Sequence, residues 1–508
     1  MFGRVFSAAL QGLEAHLIEI EVDIRGGLPQ FSVVGLPDAT VRESRDRVRA
    51  ALKNTGFSFP AKKITVNLAP AGIKKEGSGL DLGIAIAILV ALDVVTPETV
   101  ANHVLVGELS LAGQVKPVTG SLSISMICRN THPFIVPIEN ASEAAMVQET
   151  KVYGVQTLPE VVEFLNGNLP LAPTTMDPKL LLNTHQNLDD NFSDVKGQDH
   201  AKRALEVAAA GGHNTLLIGP PGSGKTMLAQ RLPSILPPLS LDEALEATRV
   251  HSIAGTLSHN QALITTRPFR APHHNISEAG LVGGGTMPKP GEVSLAHHGV
   301  LFLDEVLEFK RPVLDSLRQP LENGTVTVTR VQASLQYPAH IMLIGAMNPC
   351  PCGYHGDRTR ECQCTPTQIQ RYRSRLSGPL LDRIDIQLDV PAVPVSQISH
   401  ETVTEQSDTI RQRVANAHKR QSFRYRKERV FNNAQLRPRH IKKYCGIDQL
   451  GQQLLEQAVT RLSLSARAYG RILRVARTIA DLADSEAITP THLAEAIQYR
   501  SFDRPIPT

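Results

Sequence analysis

Residues Gly219-Pro220-Pro221-Gly222-Ser223-Gly224-Lys225-Thr226 form a complete G-x-x-x-x-G-K-T. Gly222 and Gly224 allow backbone N–H groups to turn inward around phosphate oxygens, and a helix that follows presents its positive N-terminus to the anion. Lys225 has the reach for β- and γ-phosphates, and the Thr226 hydroxyl suits Mg²⁺, so the motif points to ATP bound with Mg²⁺. Further on, Val300-Leu301-Phe302-Leu303 is an apolar run ending in Asp304 and Glu305. Asp304 suits a Mg²⁺ site together with Thr226, and Glu305 suits the base that polarises an attacking water. A third apolar run ends in Ala346-Met347-Asn348, which would let Asn348 sense the γ-phosphate or the water, although an Asn at a strand end is often only a turn residue.

A second constellation follows at once. Cys350-Pro351-Cys352-Gly353 and Cys362-Gln363-Cys364 make a CxC…CxC array with nine residues between the pairs. Four thiolates can close a tetrahedral Zn²⁺ site, which would make residues 350–364 a metal-folded knuckle. The one-residue spacing is tighter than usual, so free or redox-active thiols are the alternative, and His355 is a possible substitute ligand. Arg358 and Arg360 inside the knuckle suggest phosphate contact.

The third signal is charge. Residues 411–443 hold twelve Lys and Arg against the single acid Glu428, a local balance of +11 with Phe423 and Tyr425 interleaved. Basic runs are often solvated faces, but this density, with Arg424, Arg426 and Lys427 at its centre, favours a polyanion such as DNA. Trp is absent and aromatic residues are 4% of the chain, so phosphate tracking is the expected mode rather than base stacking. The net charge of the whole chain, +4 from 53 Lys and Arg against 49 Asp and Glu, conceals this segment.

The elements that must hold these residues can be sketched. A chain of 508 residues corresponds to about three domains. Ordinary proportions, 42% hydrophobic and 20% charged, exclude wholesale disorder and coiled coil. The longest uncharged apolar run, residues 82–92, is too short to span a bilayer. Gln11 and Glu14 interrupt any signal-peptide core, so no membrane and a cytoplasmic location are expected. Residues 1–166 read as an α/β domain, with strands near 16–22 and 63–68 and helices at 39–53 and 81–91. Residues 167–190 read as a linker. Residues 191–395 read as a parallel-sheet P-loop domain with strands 215–218, 300–303 and 340–346. Residues 396–508 read as helical, most clearly at 466–482.

With these motifs on the page, the chain resembles the AAA+ ATPases of the magnesium-chelatase type. Phe192-Ser193-Asp194-Val195-Lys196-Gly197-Gln198 looks like the segment that packs near adenine in that superfamily. Arg270-Ala271-Pro272-His273-His274, Gly283-Gly284-Gly285, Pro290-Gly291-Glu292-Val293-Ser294-Leu295-Ala296-His297-His298-Gly299 and Leu317-Arg318-Gln319-Pro320-Leu321-Glu322 resemble the ComM/YifB family over essentially the whole chain. The 79 residues separating Lys225 from Asp304 leave room for the inserted hairpin of this branch, expected around Pro290 to His297. A second hairpin is legible at Thr325 to Tyr337. The resemblance makes Arg383, in Leu380-Leu381-Asp382-Arg383-Ile384-Asp385, an arginine finger that enters a neighbouring subunit's site. A surface ion pair with Asp382 or Asp385 is the plainer alternative for Arg383. Arg467, in Ser465-Ala466-Arg467, becomes sensor 2, with Arg471 as second choice. A homo-oligomeric ring, a hexamer, follows.

Lys75-Glu76-Gly77-Ser78-Gly79-Leu80-Asp81-Leu82-Gly83-Ile84-Ala85, with Val106-Gly107-Glu108-Leu109-Ser110-Leu111-Ala112-Gly113, resembles the Lon-type protease domain. The nucleophile position falls at Gly79, next to Ser78, and no lysine lies between Lys116 and Lys151, where the partner base is expected near Leu122-Ser123. A serine without its base is a weak nucleophile, so a protease-like scaffold without protease activity is expected. The resemblance implies a DNA helicase or branch-migration motor acting on single-stranded, forked or branched DNA in recombination during natural transformation, with recombination proteins as possible partners. Its pore hairpins would offer Lys289 and Arg330 to phosphate. The competing readings are a chelatase-like protein-remodelling subunit and an ATP-dependent protease.

Overall fold

Alternation of apolar and polar residues near the N-terminus builds the long strands of a mixed sheet. The computed structural model describes residues 1–183, 190–258, 261–285, 288–330, 333–357, 360–393, 404–428, 430–461 and 466–500, the side chains of Asn183, Arg330, Ala333 and Ala466 excepted. They form two compact units: residues 1–184, 240–265 and 329–337, and residues 185–239, 266–328 and 338–508.

In the first unit, β1 (Phe2–Gln11), β2 (Glu14–Arg25), β3 (Gln30–Val34), β4 (Lys63–Ala69), β5 (Val104–Leu105), β6 (Phe134–Pro137) and β7 (Val152–Val155) form one sheet in the order β3-β4-β2-β1-β5-β6-β7. Helices α1 (Ala39–Asn54) and α2 (Asp81–Ala91) lie where the apolar periodicity predicts them. Every residue of α2 is buried, so the longest apolar run of the chain is a core helix. No helix among the described residues is long and apolar enough to cross a membrane. Asp81 opens α2 fully buried and accepts from Arg47 Nε at 2.6 Å and Nη2 at 3.1 Å, and from Ser44. Ser78 donates to the Glu108 carboxylate, and the buried Lys75 ammonium donates to the Pro70 carbonyl.

Two departures from the expected organisation stand out. The segment read as a linker carries a bridge from Thr174 to Val152 and a short helix, Pro178–Asn183. More consequentially, the first unit is completed by helix Leu241–Ala254, from sequence read as part of the ATPase core. Ser252 Oγ accepts from the Gly120 amide at 2.8 Å and donates to Glu143 at 2.5 Å. Arg249 donates to the Leu13 carbonyl at 2.9 Å and to Ser123 Oγ at 3.3 Å. Such docking depends on side chains far apart in sequence, which periodicity cannot reveal.

The second unit is built on five parallel strands, β8 (Thr215–Ile218), β9 (Phe269–Arg270), β10 (Val300–Leu303), β11 (Met342–Met347) and β12 (Ile386–Asp389), in the order β9-β10-β11-β8-β12. The middle three are the runs the sequence marks as strands. All their residues are buried, as expected for a parallel sheet covered on both faces. Thr215 is level with Ile344 and Ile386, and Ile218 with Met347 and Asp389, so loops at the two ends of the sheet stay separated by the strands. The C-terminal region is helical, including α4 (Ser407–Tyr425), α5 (Pro438–Tyr444) and α6 (Ala466–Leu482); α3 (Lys225–Arg231) follows the P-loop. The fold is thus mixed α/β, with a parallel-sheet domain carrying the phosphate-loop motif and a C-terminal helical domain.

The first expected hairpin needs correction. Gly283–Gly284 pairs with Lys289–Pro290, and the following residues form a helical turn, Glu292–Leu295. Val293 and Leu295 are buried there, and Glu292 takes both Nε (2.6 Å) and Nη2 (2.8 Å) of Arg270, so this stretch serves the core. The second hairpin forms, from Thr325–Arg330 and Ala333–Pro338.

Candidate functional site

The nucleotide motif leaves the C-terminal end of β8. The Gly219 amide donates to the Met347 carbonyl at 3.2 Å, and a Cβ at Gly219 would lie 2.1 Å from the Val390 carbonyl oxygen, so only glycine fits. Gly222 (φ +75) and Gly224 (φ +88) adopt the left-handed backbone that the loop requires. Lys225 Nζ donates at 2.8 Å to the carbonyls of both Gly219 and Pro220 and lies 3.5 Å from Asn348 Oδ1. Burial lowers its pKa, opposed by the charges of Asp304 and Glu305.

Three residues expected to share the chemistry are brought together. Thr226 Oγ1 donates to Asp304 Oδ2 at 2.8 Å, so α3 and the end of β10 offer two hard oxygens at one point, the donor chemistry Mg²⁺ takes. The Glu305 amide donates to Asp304 Oδ1 at 2.9 Å. Glu305 itself is left-handed (φ +49) and its side chain is 61% exposed. Its Oε2 lies 4.0 Å from His274 Nδ1. The sequence offered His274 only as part of a family motif; its nearness to Glu305 comes from the pairing of β9 with β10.

Gln198 is another contributor the sequence left without a role. Its Nε2 donates to the Pro391 carbonyl at 2.6 Å and the Ser223 carbonyl at 3.3 Å, joining the Phe192-to-Gln198 segment to the P-loop. Phe192 is fully buried, with its amide on Ser407 Oγ at 2.8 Å.

Arg383 stands at the other end of the sheet. Its carbonyl accepts from Asn214 Nδ2 at 2.9 Å, and Asn214 immediately precedes β8, whereas Lys225 follows that strand. Four strand residues span about 13 Å, so Arg383 is well removed from its own P-loop. Its guanidinium pairs with Glu322 and donates to the Pro379 carbonyl at 2.6 Å. Among the described residues neither Asp382 nor Asp385 pairs with it: Asp382 takes Arg467 at 2.9 Å, and Asp385 is buried against His213 Nδ1 at 3.0 Å. Burial works to raise the Asp385 pKa, but His213 with the charges of Arg474 and Arg471 overcomes it and holds the carboxyl below its usual range. Arg467, 72% exposed, is thus tied to the residue before Arg383, while Arg471 is buried and donates to the Leu381 and Ile384 carbonyls at 3.2 Å.

The four cysteines of the knuckle converge, with all Sγ atoms within 4.8 Å of one another. Cys350 lies 3.3 Å from Cys352 and 3.6 Å from Cys362, and Cys352 lies 3.6 Å from Cys362. The S···S edge of a tetrahedral zinc site with 2.3 Å bonds is roughly 3.8 Å, so the donor set fits that ion. His355 enters through its backbone amide, 3.3 Å from Cys350 Sγ. Gly353 (φ +86) packs on the P-loop, where a Cβ would meet Pro221 Cδ at 2.7 Å. Arg360 is exposed, donates to the Tyr354 hydroxyl at 2.8 Å and lies over that ring; Arg358 falls outside the described residues. Lys289 is exposed on its short hairpin, and the side chain of Arg330 is outside the description.

The basic segment is less free than its sequence charge. Arg411 pairs with Asp408 at 2.6 Å, Arg413 with Glu206 at 2.6 Å and with Glu405, Arg420 with Asp484, and Lys443 with Glu428 at 3.2 Å. Arg424, expected to contact DNA, is instead forked onto the fully buried Asp481, which also takes Arg477 at 3.0 Å. A count along the chain cannot see acids folding in from other helices. Lys419, Arg426, Lys427, Arg437, Arg439, Lys442 and Lys443 remain exposed.

The fold and site together define an AAA+ ATPase of the magnesium-chelatase type. Residues 191–398 match the family described as magnesium chelatase, subunit ChlI; residues 20–140 match subunit ChlI of Mg-chelatase; and residues 404–500 match its C-terminal part. The chain is 46% identical to YifB of Salmonella typhimurium and 46% identical to competence protein ComM of Haemophilus influenzae, each over 98% of this chain and 97% of the relative. A magnesium-chelatase 38 kDa subunit of Rhodobacter capsulatus is 28% identical over 31% of this chain and 50% of its own length. The chain belongs to the ComM/YifB family.

Removing Arg424 strips the buried Asp481 of its forked partner and leaves it Arg477 as its remaining ion-pair partner among the described residues, at a cost of about 3 kcal/mol. Arg424→Ala is expected to lower the Tm by about 6 °C or more, and Lys427→Ala to leave it within about 1 °C, read by scanning calorimetry. Equal Tm values for the two variants contradict the assignment of Arg424 to the core.

Proposed function

We propose that the protein is a ring-forming, ATP-driven DNA motor, a hexameric helicase that migrates branched DNA in recombination during natural transformation. The observation that carries this reading is the separation of Arg383 from Lys225 along the parallel strands. One subunit holds a phosphate loop at one end and Arg383, remote from it and held by Glu322, at the other, so neighbours stacked head to tail complete each other's sites. Arg383 supplies positive charge to the transferring phosphoryl group of the adjacent subunit, and Arg467 joins it from the same end. The name of the Haemophilus relative, a competence protein, supports the link to transformation.

Within one site, Lys225 leaves the Gly219 and Pro220 carbonyls for phosphate oxygens, and Asn348, 3.5 Å away, orients it. Glu305 accepts a proton from the attacking water. Mg²⁺, when bound, draws charge from the β- and γ-phosphates; Thr226 and Asp304 would hold it. The knuckle takes Zn²⁺ on Cys350, Cys352, Cys362 and Cys364, and its packing on Pro221 gives it a path to the nucleotide. The exposed cations of the C-terminal helical domain, with Lys289, supply phosphate contacts for DNA, and the cytoplasm is where such a motor works.

At low salt, forked DNA is expected to stimulate ATP hydrolysis and to be unwound, while Glu305→Gln binds ATP without turnover. Hydrolysis indifferent to forked DNA that is not unwound rules out the motor, and persistent turnover in Glu305→Gln reassigns the base. Metal analysis of the purified protein is expected to return about one zinc per chain, lost in Cys362→Ser. An absence of zinc from the native protein contradicts the knuckle assignment.

A further inference from the structure

The end of α4 carries an arrangement that a phosphate-tracking surface does not need. Phe423 is 68% exposed, and the guanidinium of Arg426 lies 4.4 Å from its ring centroid. The next aromatic, Tyr425, does the ordinary work of such a residue: it is buried, donates to Asn433 Oδ1 at 2.6 Å and meets Tyr444 edge to face at 5.2 Å. Glu428 then receives Lys443 at 3.2 Å and stands 3.5 Å from His440, drawing α5 against the end of α4. Arg426 and Lys427, both exposed, follow Phe423 closely in the chain, and Arg439 and Lys442 are exposed on α5, which Glu428 ties to the end of α4.

We propose that Phe423, steadied by Arg426, is a stacking platform for an unpaired base of single-stranded DNA, with Lys427 and the exposed cations of α5 holding phosphates of the same strand. The proposal rests on the DNA-motor reading and specifies which form of DNA this surface takes. An aromatic face inside a basic field is how sequence-tolerant single-strand sites are built, because every base has a face to stack and the arginine adds a cation–π contribution. Inside a duplex those faces are already stacked on one another, so an intact duplex can use the cations but not the ring. A lipid surface is disfavoured because membrane anchoring requires a broader apolar face than one ring. Phe431, also exposed on the helical region, is turned to the rings of His298 and His340, with centroids 6.4 and 6.1 Å away.

The chain contains no tryptophan, so Phe423→Trp in the full-length protein places a single fluorescent indole at the proposed platform. Oligo-dT is expected to quench that fluorescence along its binding curve, whereas blunt duplex DNA and inorganic polyphosphate, which carry charge without free bases, leave it unchanged. Phe423→Ala is expected to weaken oligo-dT binding by about fivefold or more and duplex binding by less than about twofold. Oligo-dT that binds without quenching, quenching by polyphosphate, or wild-type affinity in Phe423→Ala each overturns the platform while leaving the motor reading in place. If the wild-type protein binds neither oligo-dT nor forked DNA at low salt, the motor reading fails and the platform with it.

Discussion

Everything in the ATPase unit depends on the parallel pairing of β8 with β11 and β12. Parallel strands carry all their C-terminal ends to one edge of the sheet, and three of the five strands deliver chemistry there: the P-loop after β8, Asp304 and Glu305 after β10, and Asn348 after β11. The same register sends the segment before β12 to the opposite edge, where Asn214 holds the Arg383 carbonyl. Arg383 therefore faces away from the phosphates its own subunit binds. The proposed intersubunit site rests on that strand polarity.

A buried polar network secures that second edge. His213 lies between Asp385 (3.0 Å) and Thr478 (2.7 Å), Asn433 donates to Thr478 and Asp481, and Asp481 takes Arg424 and Arg477. The segment bearing Arg383, helix α6 and the end of α4 are thus held by one set of hydrogen bonds. Such networks are costly when half satisfied, which makes them effective at fixing a single arrangement. The segment of Arg383 and the basic surface on the helical domain are joined through it. On the other edge, the cysteine knuckle packs on Pro221 of the P-loop.

The parts legible in the sequence are those set by local pattern. The nucleotide motif, the three central strands and α6 follow from glycine placement, buried apolar runs and helical spacing. The short edge strand β9 has too few residues to carry a period, and the role of His274 depends on it. The stretch after Pro290 misled because the hairpin expected there came from the family resemblance and not from the residues themselves, while Val293 and Leu295 are drawn into the core. The basic segment misled most: its formal charge was real, but Asp481, Asp484, Glu405 and Glu206 lie elsewhere in the sequence. Once those pairs are removed, what remains is a smaller surface centred on residues 426–443, with an aromatic ring that composition alone would have discounted.

The central claim is that each catalytic site is assembled from two subunits, and mixing two inactive variants tests it most directly. Glu305→Gln subunits retain Arg383, and Arg383→Ala subunits retain Glu305. Each preparation alone is predicted to be inactive, and mixed rings are predicted to regain ATP hydrolysis wherever an intact Glu305 faces an intact Arg383. Mixtures that form rings yet stay inactive, or full turnover by Arg383→Ala alone, would contradict the account.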